Sequence, residues 1–327
     1  MSQRTSPVFV VAVIPTYLRQ TELDRLLRSL ERCGAALGAV VIIDNGNEEA
    51  IRELALNRKK EVIYEAAPAN AGPGAAWKRG TELAFERFAE RLTHILTLDD
   101  DVIIERESLE ELLRGLELSD ARAAAPLICD ELETAGALAV PEPLHPRLRR
   151  VIREVRTRAD AARLLGPEPV EIAWCIGPCL LLTREAIQKA GLHRDDFFML
   201  GEDVEYSLRV GSSVKMVAIP WVFVPHLPPP PLPDGTSRER DYMKFCALLQ
   251  NLTYIALRLP RTRHLWRYLP GNFRRFFRTF GWSGETMGDA WECFSNGFLL
   301  AQPAGRERFT AFRTRLAKRS KTAVSTH

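Results

Sequence analysis

The sequence predicts an α/β protein with a mostly parallel sheet flanked by helices and a helical, basic C-terminal extension. Three observations carry this. Short apolar, β-branched runs alternate strictly with amphipathic stretches through the first hundred residues, which is the pattern of βαβ units. Polar and glycine-rich clusters stand directly after those runs, where open α/β sheets gather their ligands. The 327 residues are 46% hydrophobic and 27% charged, which fits a folded globular chain and excludes collagen-like, disordered and multi-span membrane classes.

Taken in order, residues 8–14 read as a buried parallel strand closed by Pro15. Leu23, Leu26, Leu27 and Leu30 then recur at helical spacing, with Thr21 as the expected cap and Gly34 as the stop. Residues 39–43 form a second strand running into Asp44-Asn45-Gly46. A helix over 48–57, a strand over 61–64 and a helix over 73–91 follow, the last opening beyond Asn70-Ala71-Gly72-Pro73-Gly74. Residues 94–98 make a fourth strand that runs into Asp99-Asp100-Asp101.

The second half is less regular. It holds a helix over 108–118, a strand over 123–129 and a basic strand or loop over 147–155. An apolar run over 172–183 is interrupted by Gly177-Pro178. A helix over 184–190 is stopped by Gly191; another starts near Glu202, and a strand covers 214–224. The prolines at 228–231 and 233 exclude helix or central strand, so 227–237 reads as a linker or flap, with a helix over 238–259 beyond it.

The formal charge of +3 hides a polarised distribution. Residues 258–327 hold 14 Lys/Arg against 4 Asp/Glu, a local +10, so the remainder carries −7. Such an end suits a membrane surface, a nucleic acid or an anionic substrate. Within it, Trp266, Tyr268, Phe273, Phe276, Phe277 and Phe280 interleave with Arg263, Arg267, Arg274, Arg275 and Arg278, and Pro270-Gly271 is expected to break any single helix there. No run reaches the roughly 18 apolar residues of a membrane span, and the polar stretch 1–7 does not read as a secretory signal. The six cysteines follow no disulfide rhythm, so reduced thiols and a cytoplasmic location are expected, with peripheral contact on the inner face of the cell membrane through the basic end.

The chemistry concentrates in three places. Three consecutive carboxylates at the mouth of a buried strand repel one another unless a cation neutralises them, and alternation puts Asp99 and Asp101 on one face with Asp100 on another. Oxygen donors of this hardness suit Mg²⁺ or Mn²⁺. Residues 197–205 bring Phe197, Phe198, Met199 and Leu200 before Glu202-Asp203, where an apolar wall can raise a carboxylate toward base-like values. His226 ends an apolar strand and can complete a metal shell as a neutral imidazole.

In order and spacing, residues 12–17, 42–46, 70–75, 98–101, 177–182 and 198–209 resemble the family 2 inverting glycosyltransferases of the GT-A fold, whose sheet is Rossmann-like. The triple aspartate, the Trp174 segment and His226 look most like the galactofuranosyl- and rhamnosyltransferase branch. The resemblance covers about residues 8–226, and Asp241 to Asn251 departs from the branch. It implies a catalytic domain over 1–226, with a nucleotide-sugar half over 8–101 and an acceptor half over 102–226, then the linker over 227–237 and the helical region over 238–327.

Carried over by position, the resemblance has Pro15, Thr16 and Tyr17 line the nucleotide pocket and Asp44 meet the base or ribose. Asn70, Gly72 and Gly74 admit the donor, with Trp77, Arg79 and Asp100 close to it. Asp99, Asp101 and His226 hold Mg²⁺ or Mn²⁺, Asp203 is the catalytic base, and Trp174 and Glu202 face the acceptor. The implied partners are a nucleotide-diphosphate sugar of the UDP-galactofuranose or dTDP-rhamnose type and a glycan or lipid-linked acceptor; nucleic acid is not expected. Two other readings stand beside this one: a non-catalytic membrane- or nucleic-acid-binding protein using the basic end, and a nucleotidyltransferase on a similar sheet. Pro15 to Arg19 lacks the glycine-rich basic loop of the latter.

Overall fold

The computed structural model describes residues 7–129, 142–143, 145, 148, 151, 154–227, 237–259, 268–299, 308, 310–312 and 314–315. Most of the predicted linker over 227–237 and most of the basic segment 147–155 lie outside the described residues, as do Arg263, Trp266 and Arg267. The chain forms two compact units, residues 1–195 with 206–229 and residues 196–205 with 230–327. The acidic turn before Glu202-Asp203 therefore belongs with the C-terminal helices.

The first unit opens with β1 (Val10–Thr16), α1 (Gln20–Leu30), β2 (Leu37–Asp44), α2 (Glu49–Leu56), β3 (Glu61–Ala66), α3 (Pro73–Phe88) and β4 (His94–Leu98). β1 pairs in parallel with β2 and β4, and β2 with β3, as the strict alternation requires. Period-two side chains split β1 between two cores. Val10, Ala12 and Ile14 pack toward Leu23, Leu26 and Leu27 of α1, while Val11 and Val13 pack toward Trp77 and Ala84 of α3. Gly80 of α3 is needed for that second contact, since a Cβ there would stand 2.4 Å from Val13 Cγ1.

One expectation is corrected in α1. Thr21 does not cap the helix; it lies one residue inside, and Arg19 takes the N-cap position without a side-chain cap bond.

The unit continues with α4 (Arg106–Ser119), β5 (Ala123–Cys129), β6 (Glu142–Pro143), α5 (Arg158–Leu165), β7 (Val170–Trp174), β8 (Cys179–Thr183), α6 (Arg184–Ala190), α7 (Glu202–Ser213), whose first four residues fall in the second unit, and β9 (Met216–Pro225). α5 is a helix that periodicity did not announce. Thr157 accepts from Asp160 N at 3.1 Å, and the Asp160 carboxylate returns to Thr157 N at 3.2 Å, a reciprocal cap.

The strand order is β3-β2-β1-β4-β8-β5-β9-β7-β6. β8 runs antiparallel between β4 and β5, and β7 is antiparallel to β9, so the sheet is mixed from β8 onward. The apolar run over 172–183 is thus two strands with different neighbours, separated at Gly177-Pro178.

The C-terminal unit holds α8 (Ser237–Arg258), α9 (Tyr268–Phe280) and α10 (Gly284–Leu299). Cys246, Leu249, Phe276, Phe277, Ala290, Cys293 and Phe312 form its core. Pro270-Gly271 does not interrupt α9, contrary to expectation. Pro270 falls in the first turn, where its missing N–H has no helical partner to lose. All six cysteines are buried and free, and among the described residues no helix is long and apolar enough to cross a membrane.

Candidate active site

The three acids leave β4 as a turn rather than as a continuing strand. Asp99 N donates to the Pro178 carbonyl at 3.0 Å, so the Gly177-Pro178 break fixes the first acid. On the other side, residues 225–227 run antiparallel past 101–103. Ile103 N donates to Pro225 O at 3.0 Å, Leu227 N donates to Asp101 O at 2.8 Å, and Val102 bridges His226. This lacing delivers His226 to the acids. Its Nε2 lies 3.0 Å from Asp101 Oδ1, and one donor atom each from Asp99, Asp101 and His226 lies within 4.8 Å of the others. Two carboxylates and an imidazole so gathered fit Mn²⁺ or Mg²⁺.

Asp100 turns away from this trio and is buried. It accepts from Thr16 Oγ1 at 2.8 Å and from Arg19 Nη1 at 3.1 Å. The same Arg19 nitrogen also reaches Asp101 Oδ2. Asp101 Oδ2 is thus hydrogen-bonded by Arg19, while the buried Oδ1 faces His226 Nε2 without completing a hydrogen bond. Burial lifts Asp100 to about 6 against the pull of Arg19. Burial opposes ionisation of Asp101 as well, yet His226 and Arg19 outweigh it and hold that carboxyl below its usual range. Asp101 in turn raises His226.

Arg19 is the residue that sequence reasoning missed. A lone arginine after a strand has no local signature, and only the tertiary contact gives it a partner. It follows Leu18, which adopts φ 57°, a conformation uncommon for a leucine.

The other donor-side residues divide. Asp44 is fully buried and has internal partners: Gly46 N at 2.7 Å, Glu48 N at 2.8 Å and Tyr64 Oη at 2.9 Å all donate to it. Pro15 does not close β1 as expected: the strand continues through it to Thr16, with Pro15 paired in register to Ile43, and Tyr17 is 48% exposed just beyond. Asn70 accepts from Gly72 N at 3.0 Å, and Gly72 has φ 88° at the start of α3, which a side chain would strain. Gly74 is buried in the first turn of α3.

Trp77 is buried against His193, ring centroids 5.1 Å apart, and His193 stacks on Tyr206 at 3.6 Å. Burial keeps His193 neutral. Arg79 is not with the acidic trio. Its guanidinium forks onto Glu65 at 2.8 and 3.0 Å and reaches Glu86 at 3.0 Å. Trp174 ends β7 half-buried, beside Cys175, whose N donates to Ser207 Oγ at 3.2 Å while Ser207 Oγ donates back to Cys175 O at 2.9 Å.

In the C-terminal unit, Leu200 (φ 59°) and Gly201 (φ 100°) make a left-handed turn that opens α7 at Glu202 and Asp203. Asn251 of α8, completely buried, holds that turn, donating to the Met199 carbonyl at 3.0 Å and the Leu200 carbonyl at 2.9 Å. Phe197 packs edge-on against Tyr254 at 5.4 Å, and Phe198 joins the core of the C-terminal helices. The aromatic pair anchors the turn to those helices. Asp203 is half-buried, and its Oδ1 accepts from Val204 N at 2.7 Å.

Residues 11–137 match the glycosyl transferase family 2. The N-acetylglucosaminyl-diphospho-decaprenol L-rhamnosyltransferase of Mycobacterium tuberculosis is 28% identical over 268 residues, covering 76% of this chain and 83% of the relative. Among solved structures, S. aureus TarS residues 1–349 align over 90% of this chain and 81% of their own, with 15% identity and a TM-score of 0.52. GalNAc-T7 with UDP, GalNAc and Mn²⁺ aligns over 90% of this chain and 56% of its own, with 16% identity and a TM-score of 0.55.

Proposed function

We propose that this chain is a family 2 glycosyltransferase of the GT-A fold, a reading supported by the match over 11–137, the mycobacterial relative and the fold of its structural neighbours, and that it transfers a sugar from a nucleotide-diphosphate donor of the dTDP-rhamnose or UDP-galactofuranose type to a hydroxyl of a lipid-linked glycan acceptor, with inversion. The single observation behind the donor chemistry is the convergence of Asp99, Asp101 and His226 at the mouth of the sheet. The acceptor class rests on the mycobacterial relative, whose substrate is a decaprenol diphosphate sugar. Of the competing readings, a purely non-catalytic binder does not accord with this family, and a nucleotidyltransferase would need a phosphate loop that Pro15 to Arg19 does not form.

Asp99, Asp101 and His226 would hold Mg²⁺ or Mn²⁺, which neutralises charge developing on a diphosphate leaving group. Asp203 would take the proton of the acceptor hydroxyl as the new bond forms opposite the departing diphosphate; one base and no enzyme nucleophile suffice for inversion. Thr16 and Asp100 would keep the first strand and the acidic turn in register beneath the nucleotide, and Trp174 and Glu202 would orient the acceptor. Asp44 would serve the nucleotide pocket indirectly, by shaping the turn after β2.

The test is a panel of dTDP- and UDP-sugars presented with a polyprenyl-diphosphate GlcNAc acceptor in the presence of Mn²⁺. Transfer from dTDP-rhamnose or UDP-galactofuranose, with an inverted anomeric centre by NMR, is the expected result. Transfer from neither would remove this reading.

Arg19 makes a second expectation. Because it engages Asp101, an incoming cation has to displace it, and cation binding should be weak until a diphosphate offers further oxygens. Arg19→Gln is then expected to tighten Mn²⁺ binding in the absence of nucleotide by about tenfold, roughly the worth of one charge-assisted hydrogen bond. Calorimetry with Mn²⁺ alone measures it, and unchanged or weaker binding would show that Arg19 does not compete.

A further inference from the structure

α10 is amphipathic in the reverse sense. Its buried face consists of Thr286, Asp289, Ala290, Cys293, Asn296 and Gly297, polar or small throughout. That face is consumed internally: Asp289 accepts from Tyr242 Oη at 2.7 Å, and Gly297 lies so close to α8 that a Cβ would stand 2.3 Å from the Gln250 carbonyl oxygen. The outward face carries the large apolar side chains. Met287 is 53% exposed, Trp291 68% and Phe298 50%, with Phe294 stacked beside Trp291 at 5.7 Å. At about 100° per residue these four positions fall within an arc of roughly 60°, a continuous stripe. Trp282, 72% exposed and stacked on Phe277 at 4.0 Å, extends the apolar surface beyond the helix start.

One cation borders this stripe, and two more are exposed on the neighbouring helix. The exposed Arg258 guanidinium lies 5.3 Å from the Phe298 ring centre. On α9, Phe273 approaches Phe294 at 6.3 Å, and Arg274 and Arg278, each one residue beyond Phe273 and Phe277, are exposed. Of the three acids on α10, Asp289 is buried, Glu292 pairs with Arg315, and Glu285 is exposed in the first turn. An outward row of Trp, Phe and Met edged by arginine is the composition that seats a helix in a headgroup layer, with rings at the acyl boundary and guanidinium groups on phosphates.

We propose that the Met287–Trp291–Phe294–Phe298 face of α10, with Trp282 and the flanking arginines, docks this protein on an anionic lipid bilayer. A second copy would set the same arginines against one another, which disfavours a symmetric pairing through this face. The proposal goes beyond the donor and acceptor reading and stands on different residues, so either can fail alone.

The experiment is co-sedimentation of the full chain with phosphatidylcholine vesicles, with and without phosphatidylglycerol. Expected is binding to the anionic vesicles only, weakening as salt rises, and quenching of tryptophan emission by brominated acyl chains. A Trp282→Ala/Trp291→Ala variant should lose about tenfold or more in vesicle binding, and Arg274→Glu/Arg278→Glu should abolish the preference for the anionic lipid. Both pairs are exposed, so unchanged melting and unchanged donor binding are expected and would locate the loss at the surface. No vesicle binding at low salt, or wild-type binding by the tryptophan variant, would overturn the proposal. So would a concentration-dependent dimer, or a complex with single-stranded oligonucleotide, that those substitutions remove in the absence of any lipid binding.

Discussion

Asp101→Asn is expected to abolish sugar transfer while leaving a folded protein that no longer binds Mn²⁺ measurably in the presence of dTDP or UDP. The carboxylate is 4% exposed and faces two donors, His226 Nε2 at 3.0 Å and the Arg19 guanidinium. An amide keeps the size but removes the charge and turns an N–H toward one of those cations. The proposed cation site then retains only Asp99 and His226, too little negative charge for a hard divalent ion. Arg19 keeps Asp100 at 3.1 Å and is itself partly solvated, so the fold should pay only modestly. Transfer rate, calorimetry with Mn²⁺ plus nucleotide, and thermal melting together check this. Full wild-type activity in excess chelator, or near-native turnover by the variant, would remove the metal role.

Asp203→Asn should retain donor and metal affinity and lose roughly 10²–10⁴-fold in turnover, the range for removal of a general base. Successive helical residues point about 100° apart, so Glu202 and Asp203 cannot both face one hydroxyl. The backbone supports a dedicated position: Leu200 and Gly201 both lie in the left-handed region, an arrangement costing on the order of 1–3 kcal/mol that buried Asn251 offsets by binding two successive carbonyls. Glu202→Gln should act more mildly, on acceptor KM. Donor calorimetry beside transfer rates for both variants separates the roles. Near-native transfer by Asp203→Asn would redirect attention to Glu202 or Glu205.

The sheet from β1 to β4 was legible because each of its elements is announced locally, by a β-branched run, a leucine stripe or a glycine stop. Pairing direction is not local. Nothing in Cys179–Thr183 distinguishes a strand inserted antiparallel between β4 and β5 from the continuation of Val170–Trp174, so one apolar run hid two strands. α5 carries a readable cap in Thr157 and Asp160 but no strong apolar periodicity behind it. Residue type alone favours Thr21 as a cap, whereas the chain enters α1 through Arg19. Among site residues, Asp99 and Asp101 do sit apart from Asp100 as expected, but through a turn after β4 and not through strand alternation. The engagement of Asp44 by Tyr64 and of Arg79 by Glu65 had no such sign, because each depends on which neighbour β3 presents. The aromatic residues at 197–198 were expected beside Asp203; their rings instead fill the core of the helical unit, which a run of apolar letters cannot specify.

The lacing of 225–227 against 101–103 has a kinetic consequence. Asp101 and His226 are separated by most of the first unit, and the bridge beside them directly continues the β5–β9 pairing, so it is expected to close with that pairing. Contacts of such sequence separation close late, because the chain entropy of the large loop must be spent before the pairing rewards it. The β1–β4 half can therefore collapse around its two carboxylates well before the imidazole arrives. In a refolding experiment, burial of the α1 and α3 cores should precede recovery of divalent-ion affinity, and that affinity becomes a reporter of the last strand to dock.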